Sequence, residues 1–208
     1  MTERPATDGA TFWRTLFGSD APVEIEVGSG DGVFLTAYAA RVTDRHLLGI
    51  ERSPAKARRL ADRVARLALP NVRTLQADAR CVVATIVPTA TVAAYHVYFP
   101  DPWPKRGHAS RRIFTPTFVD ALARTLIPGG RLFFVTDVAG YARVACGHVL
   151  AAPEFREIAA ADAEHPGLTT SFARKYRAGG RALHAFIFER AATIGDDQVL
   201  AASKIRSR

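Results

Sequence analysis

Short apolar runs recur along the chain and are separated by segments with helical character. The runs have the length of buried β-strands and occupy residues 23–27, 46–50, 72–75, 92–99, 131–136 and 184–188. Helix-like segments lie between them, at residues 33–40, 55–69, 117–126 and 141–150. Strands that alternate with helices predict a mostly parallel sheet. The pattern therefore indicates an α/β fold of the doubly wound type, with helices on both faces of the sheet.

Local sequence signals mark two of the boundaries. Ser53 is a favourable N-cap residue and Pro54 suits the first position of a helix, which fixes the start of the segment 55–69. The tripeptide Pro128-Gly129-Gly130 predicts a turn directly before the run 131–136.

The size of the chain fits one domain. Its 208 residues are 48% hydrophobic, which is enough to bury a full core. We predict a single domain over residues 1–208, with weakly anchored ends at 1–20 and 191–208.

The chain has no apolar run as long as a membrane-spanning helix and no secretion-signal pattern at its start, so we expect a soluble cytoplasmic protein without a membrane partner. The sequence leaves open a monomer or a homodimer.

The chain is basic, with 28 Lys and Arg against 20 Asp and Glu and a formal net charge of +8. Such an excess attracts polyanions, although it also occurs on ordinary solvated surfaces. The arginines concentrate at residues 52–66, 105–112 and 174–181. The two cysteines, Cys81 and Cys146, stand 65 positions apart without a zinc-ligand spacing, so we expect no metal.

A glycine turn or an acidic residue follows each of the first five predicted strands. Gly28-Ser29-Gly30-Asp31-Gly32 follows the first strand, and the next four are followed by Glu51, Asp78, Asp101 and Asp137. In a doubly wound sheet the ligand crevice lies beyond the carboxyl ends of the strands. Any one of these acids has an ordinary explanation as a solvated loop carboxylate. The whole series, however, predicts one site at that edge of the sheet.

The glycine turn favours a cofactor that carries positive charge. Glycines let the backbone approach a ligand closely, but the third glycine of the dinucleotide pattern GxGxxG would fall on Val33. Glu24, Glu26 and Asp31 surround the turn and would repel a pyrophosphate. S-adenosylmethionine carries an ammonium and a sulfonium and has no phosphate, so it suits this turn. A nicotinamide-dependent oxidoreductase is the weakest alternative.

Two of the acids are suited to the other parts of this cofactor. Glu51 lies 21 residues after Gly30 and can accept both ribose hydroxyl protons. Asp78 can accept a hydrogen bond from the exocyclic amine of adenine. We therefore predict that Gly28, Gly30, Glu51 and Asp78 bind the cofactor.

The fourth strand ends in Pro100-Asp101-Pro102-Trp103, which fixes a carboxylate between two prolines. Guanine presents N1–H and N2–H donors on one edge, which a carboxylate can accept together, and a free lone pair at N7 on the other edge. Transfer of a methyl group to N7 needs no base and depends on positioning and charge stabilisation. We predict Asp101 as the catalytic residue. Trp103 either stacks on the base or anchors the turn.

A basic stretch follows this turn directly. It contains Lys105, His108, Arg111 and Arg112. Cations beside a base-binding site can bind the phosphates of RNA, so we predict that this stretch contacts the RNA backbone. The alternative is a solvated charged loop.

At this point the sequence resembles a known family. The segments VEIEVGSGDG, LLGIE, NVRTLQADA, FPDPWPKRGHASRR, PGGRLFFVTD and TSFARKYRAGGRALHAFIFER occur in the order found in bacterial tRNA (guanine-N7-)-methyltransferases. The resemblance covers roughly residues 20–190, and FPDPWPK with its basic loop is the most specific element. It implies a seven-stranded Rossmann-like methyltransferase sheet, S-adenosylmethionine as cofactor, and formation of 7-methylguanosine in the variable loop of tRNA.

The resemblance also implies roles for individual residues. Its cofactor contacts fall on Glu24, Glu51, Asp78 and Asp101, and the last of these is also the implied catalytic residue. Its substrate contacts fall on Lys105, Asp137 and the segment that begins at Thr170, and its RNA-interacting loop runs from Gly107 to Arg112 through His108 and Arg111.

The chain departs from this family at two positions. Ala173 stands where the family commonly has a glutamate, and Glu26 stands where it usually has a glycine. Besides the oxidoreductase, three hypotheses stay open. They are a tRNA guanine-N7 methyltransferase, a methyltransferase of the same fold that acts on another RNA or a non-tRNA acceptor, and a non-catalytic RNA-binding protein.

Overall fold

The computed structural model describes residues 9–159 and 165–192. Its strands are β1 (Val23–Val27), β2 (His46–Glu51), β3 (Val72–Gln76), β4 (Val92–Tyr98), β5 (Leu126–Thr136), β6 (Phe155–Ile158) and β7 (His184–Arg190). Its helices are α1 (Gly9–Phe17), α2 (Val33–Ala39), α3 (Pro54–Arg66), α4 (Ala79–Thr85), α5 (Pro116–Thr125), α6 (Ala139–Leu150) and α7 (Ser171–Ala178). Short 3₁₀ helices at Arg106–Arg111 and Pro166–Thr169 precede α5 and α7.

The strands form one sheet in the order β3-β2-β1-β4-β5-β7-β6. β1 to β5 pair in parallel, and β7 runs antiparallel to both β5 and β6. The predicted α/β fold with a mostly parallel, seven-stranded sheet is confirmed. β6 is the strand that the apolar pattern did not predict. It lies at the sheet edge, where its burial is confined largely to Phe155, so its sequence carries no apolar run.

Helices cover both faces of the sheet, because the side chains of each strand alternate between them. On one face, Ile25, Val97 and Phe134 belong to a core cluster that includes residues of α1, α4, α5 and α6. On the other face, Leu47 packs with Leu35 of α2 and Leu60 of α3. This is the predicted doubly wound arrangement, and it leaves the carboxyl edge of the parallel strands available for a ligand.

The N-terminal region differs from its prediction. Helix α1 lies within the segment 1–20 that we predicted to be weakly anchored, and Trp13 and Phe17 are buried in the core. The prediction was wrong for this helix because two aromatic residues four positions apart share one helix face and anchor it. The remaining parts of the predicted weak ends, residues 1–8 and 193–208, lie outside the described residues.

The Pro128-Gly129-Gly130 segment also differs from its prediction. It forms a bulge inside β5 and not a turn before the strand, since the register passes from Val92 opposite Leu126 to Ala94 opposite Arg131.

Within residues 9–159 and 165–192, no helix is long and apolar enough to cross a membrane. The same ranges contain no group of three or more His, Cys, Asp or Glu side chains that could hold a metal ion.

Candidate active site

A cavity of about 380 Å³ lies at the carboxyl edge of the sheet, beside the ends of β1, β2 and β4. The predicted site residues that line it are Gly28, Gly30, Glu51, Asp78, Asp101 and Arg111. Its volume is in the range of small-molecule sites, about 300–1,000 Å³. The structure thus brings together residues that follow four successive strands. A smaller cavity of about 110 Å³, beside His165 and Phe186, contains none of the predicted site residues.

The glycine turn after β1 is held against the end of β2. Gly28 N donates to Ile50 O over 2.8 Å, and Gly30 N donates to Glu51 Oε2 over 2.8 Å. Gly28 and Gly30 have φ angles of +76° and +55°, a region that glycine adopts without strain. A Cβ added at either glycine would meet no atom within 4 Å. Open space therefore lies directly against the backbone of the turn.

Glu51 is buried beside this turn. Its Oε2 accepts the bond from Gly30 N, and its Oε1 accepts from Ser53 N over 2.7 Å. A carboxylate offers about four acceptor positions. Glu51 therefore braces the turn and retains acceptor capacity for the predicted contact with ribose hydroxyls.

Asp78 caps helix α4 and pairs with Arg80. Its Oδ1 accepts from Arg80 N over 2.9 Å, and its Oδ2 accepts from Arg80 Nη2 over 2.9 Å. The hydrogen bond from the Arg80 side chain is the main cause that lowers the pKa of Asp78. Asp78 is therefore an ionised carboxylate at the cavity wall. Arg80 also lines the cavity and adds a cation that the sequence analysis did not identify.

Asp101 is exposed at a constrained turn and lines the cavity. Phe99 and Trp103, on its two sides, have φ angles of +49° and +41°, a region that is strained for residues other than glycine. Arg112 holds the turn, because its Nε donates to Pro102 O over 3.0 Å and its Nη2 donates to Trp103 O over 3.1 Å. The Arg112 guanidinium is thus occupied within the protein, which differs from the RNA contact that the resemblance implied for it.

Aromatic and basic side chains surround the mouth of the cavity. The guanidinium carbon of Arg111 lies 5.0 Å from the ring centroid of Trp103, and the ring centroids of Trp103 and His108 are 5.5 Å apart. Tyr176 of α7 also lines the cavity and contacts Phe99, with ring centroids 5.3 Å apart. Such rings offer stacking surfaces for a base. Tyr176 was not among the predicted site residues, although an aromatic residue between cations, as in residues 174–177, suits stacking on a base beside its phosphates.

The remaining predicted substrate residues do not line the cavity. Lys105 and Gly107 are exposed, at the start of the 3₁₀ helix that follows the Asp101 turn. Asp137 accepts a hydrogen bond from Arg181 Nη1 over 2.7 Å, and Arg181 also packs on Tyr176. Thr170 is buried and caps α7 by accepting from the amide of residue 173 over 3.0 Å. Asp137 and Thr170 therefore make contacts within the protein in this structure.

Glu24 lies away from the cavity, in a buried polar network on the α2 face of the sheet. Its Oε1 accepts from Arg45 Nη1 over 2.6 Å, and its Oε2 is hydrogen-bonded to His96 Nε2 over 2.7 Å. His96 Nδ1 is in turn 2.6 Å from the Tyr98 hydroxyl. Burial alone would raise the pKa of Glu24, but His96 and Arg45 outweigh it and lower the pKa. Glu24 is thus held within the protein near the start of β1 and does not line the cavity, so the structure gives no support to the cofactor contact implied for it.

Glu26 is the acidic residue that the sequence analysis did not assign to the site. It is 5% exposed, and its Oε2 has no hydrogen-bond partner among the described residues. Burial raises the pKa of Glu26 to about 8, and the nearby charge of Glu51 acts in the same direction. The signal was present in the sequence, since Glu26 is the last acid before the glycine turn.

These residues fit S-adenosylmethionine. The carboxylate of Glu51 lines the cavity, and Glu26, with an unpartnered oxygen, lies just before the glycine turn. A cofactor ammonium bound there would favour the ionised form of Glu26 and be stabilised by it. The open space against Gly28 and Gly30 allows the ligand to approach the backbone closely. Asp78 adds an acceptor on the same wall of the cavity.

Sequence comparisons relate the chain to methyltransferases. A family model described as "Putative methyltransferase" matches residues 20–186. The tRNA (guanine-N(7)-)-methyltransferase of Treponema pallidum (strain Nichols) is 38% identical over 187 residues, which cover 90% of this chain and 74% of that protein. The protein of the same name from Saccharophagus degradans is 34% identical over 187 residues, covering 88% of this chain and 82% of the relative.

Solved structures share the fold at low sequence identity. The 16S rRNA methyltransferase KamB has a TM-score of 0.65 and 17% identity, and the similarity covers 91% of this chain and 96% of that chain. A SAM-dependent methyltransferase from Aquifex aeolicus has a TM-score of 0.58 and 13% identity, with coverages of 91% and 95%. These similarities concern the fold alone.

Proposed function

Since this chain belongs to the family of tRNA (guanine-N7-)-methyltransferases, we propose that it methylates N7 of a guanine in the variable loop of tRNA, and that the cavity at the carboxyl edge of the sheet is the active site. The family transfers the methyl group of S-adenosylmethionine. The observation that carries the proposal is that Glu51, Asp78 and Asp101 line one cavity beside the glycine turn, although each lies at the end of a different strand.

In this proposal the cofactor binds on the side of the cavity formed by β1, β2 and β3. When bound, S-adenosylmethionine supplies an electrophilic methyl group on a positively charged sulfur. Glu26 and the backbone of Gly28 and Gly30 bind the amino-acid part of the cofactor. Glu51 accepts hydrogen bonds from the ribose hydroxyls, and Asp78 accepts one from the adenine amine.

Asp101 binds the guanine and stabilises the charge that develops on it. Its carboxylate accepts the N1–H and N2–H donors of one edge, which leaves N7 on the opposite edge available. The purine gains positive charge as N7 is methylated, and a fixed carboxylate stabilises that charge where it forms. N7 has no proton to lose, so no general base is required. Two prolines and the bonds from Arg112 hold the carboxylate in position, which suits a reaction that depends on alignment.

The basic loop beside Asp101 binds the RNA backbone. We assign phosphate contacts to Lys105 and Arg111, which are exposed cations, and to the neighbouring backbone at Gly107. The ring pair of His108 and Trp103 offers a surface for a flanking base. In this proposal Asp137 contacts the substrate through the carboxylate oxygen that does not bind Arg181, and the buried Thr170 contacts it only when the start of α7 moves.

Nucleoside analysis tests the proposal. Unmodified tRNA is incubated with the purified protein and S-adenosylmethionine, digested, and analysed for methylated nucleosides. We expect 7-methylguanosine at one variable-loop position. We also expect that Asp101→Asn forms little product while tRNA is still retained. If the wild-type protein binds both tRNA and S-adenosylmethionine but forms no methylated nucleoside, a non-catalytic RNA-binding role replaces the proposal.

A second candidate keeps the cofactor and changes the substrate. Ala173 is fully buried in the first turn of α7, so this position offers no carboxylate to a base. Labelled methyl transfer into a tRNA whose variable loop lacks guanine separates the two candidates. Undiminished transfer into that tRNA supports another RNA guanine as the acceptor, whereas its loss supports the variable-loop site.

A further inference from the structure

Helix α3 carries a row of cations to which the proposed reaction assigns no role. Lys56, Arg59, Arg63 and Arg66 are spaced by three, four and three residues, so they lie along one flank of the helix. We call these four residues the α3 stripe. The buried residues of the helix, Ala57 and Leu60, lie on a neighbouring flank.

The α3 stripe begins at the active-site cavity. Lys56 lines the cavity together with Arg52, which directly precedes the helix N-cap. From Lys56 to Arg66 the helix rises by about 15 Å. The stripe therefore extends positive charge from the cavity mouth along the side of the molecule. It lies on the β2 side of the cavity, whereas the basic loop with Arg111 follows β4.

Contacts within the protein account for only part of the stripe. Its neighbours three or four residues apart are like-charged, and such pairs destabilise a helix. The helix has five cations and one carboxylate, Asp62. Arg59 pairs with Asp31 over 2.9 Å, yet its side chain stays 56% exposed. Arg63 also contacts this loop, since its Nε donates to Asp31 O over 2.9 Å. Lys56 and Arg66 are exposed.

We propose that the α3 stripe binds the sugar-phosphate backbone of the tRNA on the β2 side of the cavity. This inference rests on the proposed function, because it takes the tRNA as the molecule whose base enters the cavity. A row about 15 Å long can meet about two or three phosphates of a strand, and each contact releases counterions. With the basic loop on the β4 side, the RNA is then bound on both sides of the base that is methylated.

Matched double variants test this inference by tRNA binding at several salt concentrations. Arg59→Gln/Arg66→Gln removes two charges and one surface ion pair from the stripe. Arg131→Gln/Arg156→Gln is the control, since it also removes two exposed arginines and one ion pair, that of Arg156 with Glu189, away from the cavity. We expect the stripe variant to raise the Kd for tRNA by about 10- to 60-fold at about 0.1 M salt. We also expect it to reduce the slope of log Kd against log salt by about 2. The control should match the wild type.

The other readouts separate a binding role from damage to the fold. We expect a raised KM for tRNA, with an unchanged Kd for S-adenosylmethionine and an unchanged kcat at saturating tRNA. Arg59→Lys/Arg66→Lys keeps the charge and should retain the wild-type salt slope. The inference is overturned if the stripe variant binds tRNA like the control, or if the lysine variant loses affinity as the glutamine variant does. If wild-type protein binds tRNA but never methylates it, the proposed function fails, and the salt slopes still decide the role of the stripe.

Discussion

Replacing Glu26 by glutamine should stabilise the protein at alkaline pH and weaken its binding of the cofactor. In the folded protein the pKa of this buried carboxyl is raised from its ordinary value of 4.5 to about 8. The unfolded chain loses the proton near pH 4.5 and the folded chain holds it until about pH 8, so stability falls as the pH rises between these values. Below pH 4.5 both states are protonated, and the substitution should have little effect there.

The magnitude follows from the difference between these pKa values. At about 1.4 kcal/mol per pH unit, the buried carboxylate costs about 3–5 kcal/mol at pH 9. Glutamine fills nearly the same space without this cost, so Glu26→Gln should raise Tm at pH 9 by roughly 6–20 °C relative to the wild type. The gain should vanish near pH 4. Glu157→Gln, at an exposed position, is the matched control and should leave Tm unchanged at both pH values.

Calorimetry of cofactor binding gives the second half of the test. If Glu26 binds the ammonium of S-adenosylmethionine, its replacement removes a charged hydrogen bond worth about 2 kcal/mol, which is a loss of roughly 30-fold in affinity. A stabilised variant with unchanged affinity would refute the assigned contact. A variant whose Tm follows the wild type at both pH values would refute the raised pKa of this buried carboxyl.

Three further predictions concern the polar groups around the site. Glu24→Gln should lower the free energy of unfolding at pH 7 by about 3–5 kcal/mol in urea titrations. Asp20→Asn, which breaks the exposed ion pair with Arg14, should leave the free energy of unfolding nearly unchanged. The pKa of Glu24 lies below its ordinary value of 4.5, so the ionised carboxylate stabilises the fold fully above pH 4.5, and this stabilisation is lost as the pH falls further. The stability of Glu24→Gln should not show this decrease at low pH. Asp101→Asn should lower kcat by about 100- to 1,000-fold with both substrates saturating, as measured by labelled methyl transfer; a change under tenfold would contradict its role. Arg112→Gln should mainly lower kcat, because its bonds hold the turn, whereas Lys105→Gln should mainly raise KM for tRNA; equal effects of the two on KM would contradict this division.

The sheet was predictable because its central strands are buried on both sides. β1 and β2 are buried at every position. In the sequence β2 therefore contains a continuous apolar run, whereas the apolar residues of β1 alternate with two glutamates. β6 and α7 were not predicted, since an edge strand and a helix with mostly exposed positions need few apolar residues. Helix α1 was missed because it is short, and only the burial of Trp13 and Phe17 in the folded structure shows that it is anchored.

The acids of the candidate site were predictable, but their partners were not. A parallel sheet carries its strand ends to one edge, so Glu51, Asp78 and Asp101 had to lie near one another. Nothing in the spacing of the arginines distinguishes Arg112, which binds backbone carbonyls, from Arg111, which remains exposed at the cavity. Such roles depend on the direction of long side chains, which only the folded structure determines.

The bonds of Arg112 couple two parts of the molecule that have separate tasks. This arginine ends the basic loop, and its guanidinium donates to the carbonyls of Pro102 and Trp103, the two residues that follow Asp101. The loop and the carboxylate therefore move together, and on the proposed function the docking of phosphates and the placement of the base form one linked equilibrium. Linkage of this kind is reciprocal: a guanine in the cavity strengthens phosphate binding by the same factor by which phosphate binding strengthens capture of the guanine. We therefore expect an RNA that presents the right phosphates but no accessible guanine to dissociate faster than the true substrate, which gives the enzyme selectivity that no single contact provides.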